Sequence, residues 1–282
     1  MGWRNHLEVG SGATALIQLS LIVPAHNEEK RLAATLEVYS QELRRAYGDE
    51  GFEIIVVSNG SSDRTADVAR DSGRHFPQVS LIEIPEAIGK GGAVLEGFRH
   101  ARGRAMAFTD ADAATAPHSI VELAERTDEY DVVIGSRRMP GSVITRQQPF
   151  RRRVFGQAFV WTAQLLFGLP YADTQCGAKA LRPEAASRLA ALVRERHWTF
   201  DLDLLLTSRD LGLRVGQYPV QWADQPGSRL RFLPTLCDVV PSLWRMARRG
   251  MVTSRQVPIL HSRPAGAPGD AVYEPTLAHS GL

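Results

Sequence analysis

AMAFTDADAAT, residues 105–115, is the stretch that decides how this chain is read: a short apolar run ends in two aspartates one residue apart. In an extended segment side chains alternate between faces, so Asp110 and Asp112 are expected to project to the same side of the backbone. A carboxylate pair at the end of a buried strand must be neutralised. A hard divalent cation that also takes phosphate oxygens is the natural partner. Two aspartates in such a place also serve as helix caps or solvated turn residues, so the pair alone leaves both readings open.

Upstream, LSLIVPAHNEEKRL carries a continuous apolar run, Leu19 to Val23, bounded by Pro24, which reads as a fully buried strand of a parallel sheet. Asn27 and Glu28 are expected to open a helix running to about Arg45, with Leu32, Leu36 and Leu43 on its apolar face. FEIIVVSNGSSDRTADVAR (52–70) reads as strand, glycine turn and a helix from about Asp63, whose first amides can face an anion. VSLIEI (79–84) is a third strand, GKGGAVLEGFRHA (89–101) a third turn and helix, and AMAFTDAD a fourth strand. Alternating strands and helices with short turns define the α/β class: a single open, mostly parallel twisted sheet flanked by helices, with ligands at the carboxyl ends of the strands. The turns Pro24–Glu28, Ser58–Asp63, Ile88–Gly92 and Asp110–Asp112 then converge on one crevice. No GxGxxG follows the first strand and GKGG lacks Walker A spacing, which sets aside a Rossmann dehydrogenase and a P-loop enzyme.

At 282 residues and 44% hydrophobic the chain can bury a sizeable core, and its net charge of +2 does not argue for nucleic acid. The charge is unevenly placed. RRMPGSVITRQQPFRRR (137–153) holds six arginines and no acid, which suits phosphates or an anionic membrane surface, or else a solvated loop and helix start. Two cysteines, Cys176 and Cys237, make neither a disulfide framework nor a zinc site, so a reducing cytosol is the default. VFGQAFVWTAQLLFGLPY (154–171) is an apolar, aromatic helix interrupted by Gln157, Thr162 and Gln164. It is not read as a membrane span; an interfacial helix laying Phe155, Phe159 and Trp161 against acyl chains, or a helix packed on the sheet, fits better. LGLRVGQYPVQW (211–222) reads as a final strand pair, and 227–249 as a basic segment leading into an amphipathic helix. Residues 1–17 are expected to form a loose arm and residues 250–282 a disordered tail.

The motifs VPAHNE (23–28), VSNGSSD (57–63), GKGGAVLEG (89–97) and TDADAAT (109–115) together resemble the GT-A domain of glycosyltransferase family 2. GSRR (135–138), DTQCGAKALRPEAA (173–186) and HWTFDLDLLL (197–206) are similar to its polyprenyl-phosphate (dolichyl-phosphate) β-glucosyltransferase and mannosyltransferase branch. The likeness covers roughly residues 19–249 and implies one GT-A domain over 18–249, with a nucleotide-sugar half (18–135) and an acceptor half (136–249).

The resemblance also implies roles. Pro24, Ala25, Glu28 and Asn59 would hold the nucleotide, and Lys90, beside Gly91, the diphosphate. Asp110 and Asp112 match the DxD element that binds Mg²⁺ or Mn²⁺. Arg137 and one of Arg151 to Arg153 would meet the acceptor phosphate, with Asp173 and Gln175 beside the sugar. Asp201 matches the acid of the family's FD motif, with a helix N-cap as its plain alternative; Cys176 reads as a packed residue. His26 and Ser58 depart from the usual aromatic and aspartate, which loosens the reading of base contacts. Ala114 favours UDP-glucose over GDP-mannose as donor. The implied activity is inverting, metal-dependent hexose transfer to a polyprenyl phosphate on the cytoplasmic face of a membrane. Two alternatives stand beside it: a family 2 enzyme acting on a small-molecule hydroxyl, with Asp201 or Asp173 as base, and a silent nucleotide-sugar binding protein.

Overall fold

The computed structural model describes residues 16–225 and 232–250; the arm, but for residues 16 and 17, and the tail beyond residue 250 lie outside the described residues. Seven strands form the main sheet: β1 Leu19–Ala25, β2 Phe52–Asn59, β3 Val79–Ile84, β4 Ala105–Phe108, β5 Val132–Ser136, β7 Lys179–Leu181 and β8 Val215–Pro219. Two more, β6 Val143–Arg146 and β9 Gln221–Ala223, pair with each other. The helices are α1 Leu32–Tyr47, α2 Thr65–His75, α3 Gly89–His100, α4 Pro117–Glu125, α5 Phe150–Phe167, α6 Pro183–Leu192, α7 Phe200–Asp210 and α8 Phe232–Gly250.

Strands β1 and β2 are buried at every position, which is why they read as unbroken apolar runs rather than alternating ones. Alternation sorts their side chains between two cores. Leu19, Leu21, Val23, Ile54 and Val56 pack with Leu32, Leu36, Tyr39 and Leu43 of α1. Ile22, Ile55 and Val57 pack on the opposite side with Val94 and Phe98 of α3 and Phe200 of α7. Each fully buried leucine or isoleucine stabilises the fold by about 1.5–3 kcal/mol. Gly97 lets α3 lie directly on the sheet, since a Cβ there would stand 2.5 Å from the Ile22 side chain.

The main sheet has the order β3-β2-β1-β4-β7-β5-β8. The chain leaves β1 in one direction for β2 and β3, then returns to the other side of β1 for β4. The switch between β1 and β4 opens a crevice at their carboxyl ends, the place where open α/β sheets bind ligands. Strand β7 runs antiparallel to both β4 and β5 and brings residues 173–179 back over that crevice.

Three expectations are corrected. Helix α1 starts at Leu32 rather than at Asn27 or Glu28. Asn27 has a left-handed φ of 57°, and its Oδ1 accepts from the amide of Ser62 (2.8 Å), while the Glu28 amide donates to Thr65 Oγ1 (2.7 Å), so these residues tie two turns together. Strand β4 stops at Phe108, and residues 110–113 form a turn in which Ala113 takes a φ of 52°; a turn, and not strand alternation, places the two aspartates. Residues 211–222 are not a strand pair: β8 joins β5 in the main open sheet, while β9 pairs with β6 in a small ribbon beyond the corner at Pro219 and Val220.

Candidate active site

The Asp110–Asp112 turn is pinned from α1. Thr35 Oγ1 donates to the Ala111 carbonyl (2.9 Å), and the buried Tyr39 hydroxyl reaches the Thr115 carbonyl (2.7 Å) and Thr109 Oγ1 (3.0 Å). Asp110 meets Lys90 Nζ at 2.9 Å, and Asp112 Oδ2 lies 3.8 Å from Arg31 Nη1. Burial, and then the neighbouring Asp110 charge, push the Asp112 carboxyl up to about 6. The pair is thus short of positive charge, which fits a divalent cation. Among the described residues no group of three or more His, Cys, Asp or Glu side chains forms a metal cage. Two carboxylates plus substrate phosphates and water is the ordinary way Mg²⁺ is held at diphosphate sites, so the donor set suits such an ion and not a structural zinc.

Lys90 stands at the start of α3, whose backbone is seated by Gly91 donating to the Arg196 carbonyl (2.7 Å). Gly91 is buried, and a Cβ on it would collide with the Phe200 ring at 2.5 Å. From there the Lys90 ammonium reaches Asp110 and, at 3.5 Å, Asp201 Oδ2. Asp201 is not a helix cap: its other oxygen takes Lys179 Nζ at 2.5 Å. Burial alone would raise its pKa; the Lys179 and Lys90 charges overcome that and hold it below the usual carboxylate range.

Asp173 is fully buried and clamped by Arg137, which donates Nε (2.7 Å) and Nη2 (2.9 Å) from its side chain and its own backbone N–H (3.1 Å). Arg137 also lies over the Trp222 ring, 5.4 Å from its centroid. Burial would raise the Asp173 pKa, and Arg137 more than reverses it. Cys176 is buried with its thiol pushed up to about 11, by burial first and the Asp173 charge second, in keeping with a packed residue and not a nucleophile.

A cavity of about 430 Å³ gathers Lys90, Asp110, Asp112, Arg137 and Asp201 with Arg138, Gln175, His197, Trp198 and Trp222. The remaining expected residues stand off it. Pro24 and Ala25 end β1, where the Ala25 carbonyl accepts Asn59 Nδ2 (3.1 Å), and the Asn59 carbonyl in turn contacts His26 Nδ1 (2.7 Å). Glu28 pairs with Arg31 at 2.7 Å, and through it neighbours Asp112. Arg151 and Arg152 carry side chains outside the described set, while Arg153 donates to Gln147 (2.7 Å).

These turns carry motifs that the sequence profile of Glycosyl transferase family 2 matches over residues 20–185. The chain belongs to glycosyl transferase family 2. Among relatives, dolichyl-phosphate beta-glucosyltransferase of Drosophila melanogaster is 33% identical over 226 residues, 76% of this chain and 69% of that one. The Homo sapiens protein of the same name is 31% identical over 225 residues with the same coverage. Glycosyltransferase AglD of Haloferax volcanii is 28% identical over 261 residues, 90% of this chain but 42% of its own length. The fold is GT-A, as in two solved neighbours. Glucosyl-3-phosphoglycerate synthase of Mycobacterium tuberculosis, crystallised with Mn²⁺, UDP-glucose and phosphoglyceric acid, superposes with a TM-score of 0.61 at 19% identity, covering 82% of this chain and 80% of that one. Mannosyltransferase PcManGT of Pyrobaculum calidifontis, with GDP-Man and Mn²⁺, gives 0.57 at 19% identity, covering 87% and 67%.

In this family 2 chain the structure adds two things to the sequence reading of the segment expected to receive the acceptor. Arg137, expected to be the phosphate ligand, has its Nε and Nη2 directed at Asp173, whereas Arg138 Nη1 and Gln175 Nε2, on two residues that line the cavity, are buried donors with no hydrogen-bond partner among the described residues. The RR pair in GSRR signalled two arginines, but only the fold tells them apart. A second cavity of about 520 Å³ shares Arg137, Arg138, Gln148 and Trp222 with the first and adds Ile144, Phe150, Arg153 and Val154, so the polar pocket continues into a partly apolar groove. On α5, Phe159 is not lipid-facing: it is buried edge-on against Trp198, ring centroids 4.9 Å apart. Phe150, Val154, Trp161, Leu165 and Leu166 are exposed on this helix, and Phe155 has a side chain outside the described set.

Proposed function

We propose that this transferase moves glucose from UDP-glucose to a polyprenyl phosphate, with inversion at the anomeric carbon. The observation that carries the reading is the pair of buried donors without a partner among the described residues, Arg138 Nη1 and Gln175 Nε2, on residues lining the cavity with Asp110 and Asp112 where it continues into the groove lined by Ile144, Phe150 and Val154. Buried donors without acceptors cost about 1–3 kcal/mol each, a cost that an anionic phosphate removes. The relatives named for dolichyl phosphate support the same acceptor class.

Asp110 and Asp112 would hold Mg²⁺ or Mn²⁺, which supplies Lewis-acid stabilisation of the departing diphosphate. Lys90 would add its ammonium to the same leaving group. No proton need be removed from the acceptor, because a phosphate monoester oxygen is already anionic; positioning is the protein's main task. The ion pairs of the two base candidates favour this acceptor over a hydroxyl. Asp173 is enclosed by Arg137, Asp201 is shared between two lysines, and both are held as stable anions with little appetite for a proton.

Contact with an anionic membrane surface belongs to the same reading. Trp161, Leu165 and Leu166 on α5 and Val240 and Trp244 on α8 are exposed apolar side chains, the Arg248 guanidinium lies 3.7 Å from the Trp244 ring centroid, and α5 and α8 touch. No described helix is long and apolar enough to cross a membrane. The test is to incubate the purified chain with radiolabelled UDP-glucose, Mn²⁺ and polyprenyl phosphate and to extract with organic solvent. Label in the organic phase, released by mild acid, is expected; label that stays aqueous and is captured only by small hydroxyl compounds overturns the acceptor assignment.

A further inference from the structure

Lysine is among the residues least often fully enclosed, yet Lys179, central to the GAKAL segment and first residue of the short strand β7, has no exposed surface. Its ammonium is accounted for. It donates to the Cys176 carbonyl (2.7 Å) and to Asp201 Oδ1 (2.5 Å), with the Thr174 carbonyl at 3.5 Å, and lies 5.5 Å from the Phe108 ring centroid. The opposite oxygen of Asp201 faces Lys90 at 3.5 Å, at the outer edge of a hydrogen bond, and Lys90 lies 5.7 Å from the same Phe108 ring. The side chains form a row of alternating charge, Lys179, Asp201, Lys90, Asp110, running from the sheet interior into the cavity.

The asymmetry of the Asp201 contacts gives the row a purpose. Coulomb attraction falls with distance, so the carboxylate is bound tightly by Lys179 and only loosely by Lys90. Were Asp110 to hold a divalent cation, Lys90 would give up its 2.9 Å partner and its ammonium would have capacity for a diphosphate. We infer that Lys179 is a positioning residue for the donor: by holding Asp201 to itself, it keeps Lys90 oriented at the mouth of the row but free to bind the leaving diphosphate. The inference rests on the nucleotide-sugar reading of the site. Without Lys179, the full charge of Asp201 would fall on Lys90 and draw it off the diphosphate.

The probe is UDP with Mn²⁺, titrated calorimetrically so that only folded protein is counted. Lys179→Met is expected to weaken UDP binding about tenfold or more, equivalent to about 1.4 kcal/mol. Because Lys179 acts only through the Asp201 charge, the loss should vanish in the Asp201→Asn background: the double variant Lys179→Met/Asp201→Asn should bind UDP within about threefold of Asp201→Asn alone. That comparison also serves if Lys179→Met fails to fold, since neither member of the pair leaves a lone buried carboxylate. Unchanged UDP affinity in folded Lys179→Met, or a larger gap between the double variant and Asp201→Asn, overturns the inference while leaving the donor reading intact. Parent protein that binds no UDP in the presence of Mn²⁺ overturns both.

Discussion

Replacing Gly177 with alanine should disable the site without unfolding the protein. An ideal Cβ at this position would stand 2.0 Å from Asp110 Oδ2 and 2.6 Å from its Cγ. A non-bonded carbon–oxygen contact needs roughly 3.3 Å, so the carboxylate must retreat by about 1.3 Å. The Asp110 side chain is 43% exposed and has room to swing outward, and Gly177 does not occupy the left-handed region, so alanine itself is unstrained. The stability change should stay within about 1 kcal/mol in either direction, because alanine also restricts the unfolded chain. Activity should suffer far more. A catalytic group displaced by about 1 Å costs on the order of 10²-fold, or about 2.7 kcal/mol of barrier. The assay is kcat/KM for UDP-glucose with polyprenyl phosphate, a Mn²⁺ titration and a thermal melt. A hundredfold loss with a higher Mn²⁺ requirement and a near-parental Tm is expected, and Gly177→Ala should add little to Asp110→Ala. A folded Gly177→Ala enzyme within threefold of the parent would refute the idea that this glycine makes room for the aspartate.

Asp112→Ala should lower transfer at least about 10²-fold, and chelation of the parent protein should do the same and be reversed by Mn²⁺; transfer that persists in EDTA would remove the metal role. The neighbouring arginines should separate: Arg138→Gln is expected to raise the KM for the phosphate acceptor about 10–100-fold with little change in Tm, as the loss of one charge-assisted contact, read by acceptor titration. Arg137→Ala instead strands the buried Asp173 and should cost about 3–5 kcal/mol of stability in urea denaturation, whatever it does to the acceptor. At the amino-terminal ends of the strands, far along the sheet from the site, Glu53 accepts from Ser20 Oγ (2.6 Å) and the Arg102 side chain (2.6 Å). Burial opposes ionisation there, but these bonds hold the carboxyl below its usual range. Its contribution is therefore present above the unfolded pKa of about 4.3 and lost as pH falls through the folded value, so the stability gap between parent and Glu53→Gln should be open at pH 7 and close in acid. Leu165→Asp with Trp244→Asp should abolish co-sedimentation with anionic vesicles; undiminished binding would remove these helices from the membrane reading.

Read alone, the chain determined the layered α/β class, the first four strands and the turns that carry chemistry. A strand covered on both faces needs an unbroken apolar run such as Leu19 to Val23, and a turn at its carboxyl end needs glycine, asparagine or aspartate, so these features are written locally. The converging turns also put Lys90, Asp110 and Asp112 at one crevice, while Arg137 and Asp201 join them only through the family resemblance; one cavity is lined by all five. What the chain alone could not determine was how those residues are partnered. Asp173 reads as a free acid until Arg137, 36 residues away, encloses it, and for Asp201 a helix cap stands beside the FD-motif acid until Lys179 lies beneath it. Those pairings follow from β7 entering the sheet antiparallel between β4 and β5, a choice governed by long-range packing rather than by the three residues of the strand itself. Local pattern sets which backbone a segment adopts; charge neutralisation inside a low-dielectric core is settled only when distant segments meet.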